Sequence, residues 1–281
     1  MTDAEFEEYT AFARELALRA RVETMPRFRQ GLAIDNKLAQ ETGEAFDPVT
    51  EADREAERVI RSLIEKRYPD HGILGEEFGE KEGDGNIRWV LDPVDGTRAF
   101  ICGVPSWTTL IALEVDGHQK VGVIDMPWPG EMYIGGAGGA CLMTGQDKWR
   151  IAVSGEKDLS RARLSTTDPR AGECFTADEA DAFMDIAGKV RVTRFGLDAC
   201  AYALLAAGHL DLVIEAGLQR YDAAALVPVI EEAGGVVTDW RGQPVTGDWE
   251  KPLEEGGQRG RLVAAASREL LDSALERLGA L

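Results

Sequence analysis

LDPVDGTRAF, residues 91–100, closes the apolar stretch IRWVL and sets Asp92 and Asp95 three apart around a proline, with Gly96 and Thr97 directly behind them. On local grounds this is a turn after a strand, because Asp-Pro opens turns and Asp-Gly closes them. An EF-hand is excluded, since its ligands fall at alternate positions. The fold depends on whether the turn is only a connection or a place where carboxylates converge.

Upstream, residues 3 to about 25 read as a helix. Residues 50–67 read as a clearer one, with Ala56, Val59, Ile60, Leu63 and Ile64 on one 3.6-period face and Pro69 as its stop. From 87 the pattern becomes β: IRWVL, WTTLIALEV, an Asp116-Gly117 turn, KVGVIDM, a PWPG turn and EMYIGGAGGACLM, which predicts an antiparallel meander. Beyond about 150 the chain alternates. A helix near 176–187, a strand VRVTRF, a helix 197–207, a strand LDLVIEA and a helix YDAAALVPVIEEAGG precede strands GVVTDW and RLVAAAS and a last helix. The expectation is an α+β first half (1–150) with an antiparallel sheet and an α/β second half (151–281) with a mixed sheet. The Gly- and Glu-rich segment 241–260 reads as an exposed, mobile loop.

The 281 residues carry 50 acidic against 31 basic side chains, a net charge of -19, which repels nucleic acid. An acidic enzyme acting on a small phosphate ester therefore needs metal ions at its site. No stretch approaches the roughly 18 apolar residues of a membrane helix, and the acidic opening MTDAEFEEYT has no signal-peptide core, so a cytoplasmic protein is expected. Cys102, Cys141, Cys174 and Cys200 lie too far apart in sequence for paired zinc ligands and read as free thiols. His71, His118 and His209 show no ligand spacing, and GGAGGA (135–140) opens no helix in the way a dinucleotide loop would, so it reads as a glycine-rich strand.

Three further acidic fragments accompany the turn. GILGEEFGE places Glu76 and Glu77 after a short apolar run. PVTEAD sets Asp53 three residues after Thr50, nearly a capping box. YDAAALVPVIEEAGG starts with Asp222 in a first helical turn, where the dipole favours an acid. The DxDGT motif of aspartyl-phosphate phosphatases is the nearest rival, but it is one residue shorter and N-terminal. The set PVTEAD, GEE, LDPVDGT and DAAALVPVIEEAGG, in this order, resembles the inositol monophosphatase family of magnesium-dependent, lithium-sensitive phosphomonoesterases, over about residues 30–240.

That resemblance implies a layered αβαβα sandwich and two or three Mg²⁺ per site, with Mn²⁺ as a possible substitute. It assigns one ion to Glu76, Asp92 and the Val94 carbonyl, a second to Asp92, Asp95 and Asp222, and a weaker third to Glu76 with Asp53 nearby. Charge physics agrees: carboxylates about 4 Å apart repel by roughly 4 kcal/mol at an effective dielectric of 20, and an all-oxygen set suits Mg²⁺. By the same resemblance Thr97, with Glu76 or Asp53, orients and deprotonates the attacking water, and the amides of Gly96 and Thr97 hold the phosphate.

Within the family the chain looks most like the histidinol-phosphatase branch, on Arg98 and Phe100 after DGT and on the RFGLDACAYALLAAGHLDLVIEAG stretch. Asp198 and Glu215 would attract the amine of histidinol phosphate and orient its imidazole, although Asp198 also reads as a helix cap. Leu197 stands where the branch has glycine. The substrate-binding set is then Gly96, Thr97, Arg98, Asp198, Glu215 and Asp222. Inositol phosphate, a 3′(2′),5′-bisphosphate nucleotide and a catalytically idle metal-binding scaffold are the other readings. The partner is a small phosphorylated metabolite, with no nucleic acid or membrane, and the family pattern implies a homodimer.

Overall fold

In a computed structural model, which describes residues 2–30, 35–36, 48–136, 138–247, 249–252 and 257–279, two helices open the chain: α1 (Asp3–Thr24) and α2 (Glu51–Arg67). Between them lies a short antiparallel pair, β1 (Asp35–Asn36) and β2 (Pro48–Val49). α2 starts at Thr50, whose hydroxyl accepts the Ala52 N–H at 3.1 Å, and its side chains Ala56, Ile60 and Ile64 are buried. The predicted stripe therefore faces the core, and Val59 and Leu63 flank it half-buried.

The meander is present as β5 (Ile87–Asp95), β6 (Thr108–Val115), β7 (His118–Met126), β8 (Glu131–Gly135), β9 (Cys141–Thr144) and β10 (Asp147–Arg150). EMYIGGAGGACLM is not one strand: β8 ends at Gly135 and β9 begins at Cys141, and between them Gly138 and Gly139 take φ values of 124° and 96° that other residues avoid. Two short strands escaped the sequence reading, β3 (Gly72–Gly75) and β4 (Gly79–Lys81), which form a hairpin on the far edge. β3 pairs with β5 in parallel, so the eight-stranded sheet, in order β10-β9-β8-β7-β6-β5-β3-β4, is not wholly antiparallel. This one parallel pair matters for the site.

In the second half, β11 (Arg163–Thr166), also not anticipated, pairs in parallel with both β12 (Val192–Phe195) and β13 (Leu212–Glu215), and antiparallel β15 (Leu262–Ala265) and β14 (Val236–Thr238) complete a mixed five-stranded sheet. The helices here are α4 (Ala177–Ala187), α5 (Ala199–Ala206), α6 (Arg220–Ala223), α7 (Leu226–Glu232) and α8 (Arg268–Leu278). YDAAALVPVIEEAGG thus forms two short helices instead of one, with Pro228 near the start of the second, where a missing N–H costs nothing.

Alternation along the strands explains the layering. Trp89, Leu91, Ile111, Leu113, Val121 and Val123 pack under α1 and α2, while Val90, Leu110, Ala112 and Ile124 face the opposite way onto α5 and α7. The other face of the five-stranded sheet is covered by α4 and α8 through Phe183, Ile186, Leu270 and Leu271. The result is the αβαβα sandwich. The segment 241–260 departs from expectation: Val245 and Trp249 join the central core and Gln258 is buried. Apolar side chains in a polar stretch were enough to dock it. Residues 248 and 253–256 of that segment lie outside the described residues.

Candidate active site

The DPVDGT turn grows from a β-bulge. Asp92 pairs with Leu110 and Asp95 with Thr108, so β5 spends one residue more than β6, and the bulge re-aims the side chains that follow. Pro93 has no N–H to lose there, and its carbonyl accepts the Thr109 hydroxyl at 2.7 Å. The Asp92 carboxylate accepts the Val94 N–H at 3.1 Å. Gly96 takes a left-handed conformation (φ 78°), and a Cβ on it would lie 3.0 Å from Asp198 Oδ2, so glycine is required twice over. Behind it the five-residue helix α3 (Thr97–Ile101) begins without a side-chain cap.

The parallel β3–β5 pair delivers the next acid. Gly75 pairs with Leu91, the Glu76 N–H donates to the Leu91 carbonyl at 3.2 Å, and the Glu76 carboxyl comes within hydrogen-bonding reach of Asp92. Asp222 arrives from α6, where its Oδ2 accepts the Gln219 N–H at 2.7 Å. One ligand oxygen from each of Asp92, Asp95 and Asp222 lies within 4.8 Å of the others.

Asp53 caps α2 and also approaches Thr97. Its Oδ2 accepts the Thr50 N–H at 3.0 Å, completing the capping box, and its Oδ1 lies 3.4 Å from Thr97 Oγ1. That hydroxyl is also 3.1 Å from the Val94 carbonyl. Asp198 does not cap α5: its side chain makes no capping bond, and its backbone is held at φ 48°, ψ -140°, a conformation costly for a residue with a Cβ. The capping reading is overturned. The strained backbone turns the carboxylate toward Gly96 instead.

A cavity of about 240 Å³ opens beside these groups, with walls that include Asp95, Thr97, Asp198, Glu215 and Asp222. The profile of the inositol monophosphatase family matches residues 5–276. The chain belongs to the inositol monophosphatase family. It is 39% identical over 280 residues, 99% of this chain and 77% of the relative, to the chloroplastic bifunctional phosphatase IMPL2 of Arabidopsis thaliana. It is 36% identical over 261 residues, 90% of this chain and 94% of the relative, to a histidinol-phosphatase of Chlorobaculum parvum. An inositol monophosphatase structure from Zymomonas mobilis superposes with a TM-score of 0.81 at 37% identity, covering 98% of each chain.

As a member of this metal-dependent family the protein is a phosphoric monoester hydrolase. Its acidic cluster fits a hard divalent cation on chemical grounds. Burial, then the charges of Glu76, Asp95 and Asp222, holds Asp92 well above the usual carboxylate range. Burial and then Glu76 do the same to Asp222. Burial, reinforced by Asp198, lifts Asp95 to about 8 even though its Oδ2 accepts the Ala199 N–H at 2.8 Å and the Thr108 hydroxyl at 3.1 Å. Three crowded acids displaced upward by burial first and by neighbouring carboxylates second are an arrangement that a cation relieves.

The cavity is also lined by Glu215, buried and lifted to about 8 by desolvation, and Asp198, lifted to about 6 by the same cause although Arg98 opposes it. Glu215 accepts the Thr167 N–H at 2.7 Å and hydroxyl at 2.9 Å, and the Thr166 hydroxyl at 3.3 Å. Neither threonine was singled out in the sequence. The signal was a Thr-Thr pair ending a short strand, and that strand itself was missed. Arg98 stands at the exposed rim, paired with Glu173 at 3.0 Å.

Proposed function

We propose that this enzyme hydrolyses L-histidinol phosphate to L-histidinol and phosphate, with Mg²⁺ as its metal. The observation that carries this reading is the pair Asp198 and Glu215. Both carboxylates line the same cavity as Asp95 and Asp222, and Asp198 does so at the expense of backbone strain and of its helix cap. A protonated amine would be matched by Asp198, and an imidazole N–H by Glu215. The likeness to a histidinol-phosphatase over most of both chains supports the same substrate.

In this reading Glu76, Asp92, Asp95, Asp222 and the Val94 carbonyl hold two or three divalent ions. Ions held by these residues would supply Lewis acidity for the water, the phosphate and the leaving oxygen. Thr97, with Glu76 or with Asp53 behind its hydroxyl, orients the attacking water and takes its proton. The uncapped amides at the start of α3, following Gly96, hold phosphate oxygens while the water oxygen bonds to phosphorus and the ester P–O bond breaks in line. The leaving alkoxide takes a proton, and no phosphoenzyme forms. The two halves, 1–150 and 151–281, act as one catalytic unit, because Asp95 and Asp222 come from different halves. A homodimer belongs to the same reading and rests on the family resemblance.

Phosphate release from histidinol phosphate, inositol 1-phosphate and an adenosine bisphosphate, each with and without excess chelator, tests it. Preferred, chelator-sensitive hydrolysis of histidinol phosphate is expected. A preference for the inositol ester would replace the substrate assignment, and chelator-resistant turnover would remove the metal.

A further inference from the structure

Glu57 lies one turn beyond Asp53 on α2, is fully buried, and contributes nothing to the cavity wall. Its Oε2 accepts the Glu77 N–H at 2.8 Å, and its Oε1 accepts the Phe78 N–H at 3.2 Å and Arg61 Nε at 2.7 Å. Arg61 also donates to the Gly79 carbonyl, and its guanidinium, with that of Arg58, sits over the Phe78 ring at 6.0 and 5.2 Å. All these partners belong to one feature. Gly75 pairs with Gly79 across the β3–β4 hairpin, so Glu76, Glu77 and Phe78 are its three-residue tip.

The tip is therefore gripped from two sides. β5 takes the Glu76 N–H through the Leu91 carbonyl, and α2 takes the next two amides through Glu57. The close approach has a sequence signature: a Cβ on Gly75 would lie 2.0 Å from Glu57 Oε1 and 2.9 Å from Arg61 Nη2. A buried carboxylate–guanidinium pair is a poor source of stability, because desolvation offsets its attraction. Fixing two amides beside a metal-holding side chain is a use for it, since partners that orient such ligands commonly control affinity.

We infer that Glu57 is a positioning residue: clamped by Arg61, it fixes the hairpin tip so that the Glu76 carboxylate faces Asp92. The inference rests on the reading of Glu76 as a metal-holding residue. α2 then serves the site twice, through Asp53 in its first turn and through Glu57 one turn later.

Glu57→Gln keeps the size but leaves one acceptor oxygen and turns an amino group toward the tip amides. Titration calorimetry of the metal-free protein should show Mg²⁺ affinity lowered about 10–100-fold, and half-maximal phosphate release should need correspondingly more Mg²⁺. KM at saturating Mg²⁺ should not move. Gly75→Ala, which pushes the carboxylate away, should reproduce the effect and replaces Glu57→Gln if that variant does not fold. In a Glu76→Gln background, Glu57→Gln should add no further loss of affinity. Additive losses, or wild-type affinity in Glu57→Gln and Gly75→Ala, overturn the inference while leaving Glu76 in its role. Unchanged affinity in Glu76→Gln alone overturns that role and the inference with it. Equal weakening of Mg²⁺ binding in Leu271→Ala, a core variant remote from the site, would reduce Glu57 to a structural residue.

Discussion

The N–H of Ala199, the first residue of α5, donates to Oδ2 of Asp95 at 2.8 Å. One hydrogen bond thus ties the helix that follows Asp198 to the turn that carries Asp92 and Asp95. Asp95 is held twice, since Thr108 donates to the same oxygen, and that leaves its other oxygen for a cation.

Asp95→Asn keeps both of those hydrogen bonds but removes the charge. Turnover should fall by more than about 100-fold, beyond the usual effect of a residue that merely supports a ligand. Phosphate-release assays beside a circular-dichroism spectrum check this, with the spectrum unchanged.

Without metal, the raised carboxylates make stability depend on pH. The folded protein keeps protons on Asp95 and Glu215 up to about 8, while the unfolded chain releases them near 4. The folded state thus binds more protons over that window, so its stability falls as pH rises from about 4 to about 8 and then levels off. Mg²⁺ should reverse the loss and release protons on binding. Thermal melts across pH with chelator and with Mg²⁺, and calorimetry in buffers of different ionisation enthalpy, measure both.

Asp198 separates binding from folding. Asp198→Gly removes a Cβ from a conformation that costs about 1–3 kcal/mol, so the protein should melt at the same temperature or higher. Asp198→Ala keeps the strained backbone and gains less. Both should raise KM for an aminated ester by about 10–100-fold, the loss of one charge-assisted hydrogen bond, and leave a neutral ester unaffected. Equal effects on both esters would remove the amine-binding role.

Arg98 stands half out of the cavity in an exposed pair with Glu173. Such pairs are worth about 0–1 kcal/mol, so Arg98→Ala should barely change the melting temperature. If Arg98 touches substrate, KM rises in Arg98→Ala and not in Glu173→Gln; parallel changes in the two variants would show that it acts only through the rim pair.

Much of this was written in the sequence. The stripe of α2, the meander after residue 87 and the four acidic fragments gave the layers and the members of the acidic cluster, because periodicity and turn chemistry are local properties. The short strands β3 and β11 were not legible. A four-residue strand has too few residues to show a period, and pairing with distant neighbours stabilises it. Those two strands bring Glu76 to Asp92 and Thr167 to Glu215.

For a given side chain the division is the same. The order of residues alone placed Asp92, Asp95, Gly96 and Thr97 on one turn, since Asp-Pro opens it and Asp-Gly closes it within six positions. Whether Asp198 capped a helix or lined the cavity, and that Glu57 grips the hairpin beside Glu76, was decided only in three dimensions. Those outcomes depend on which buried group each carboxylate meets after the sheets and helices pack, a contact between segments that no local pattern encodes.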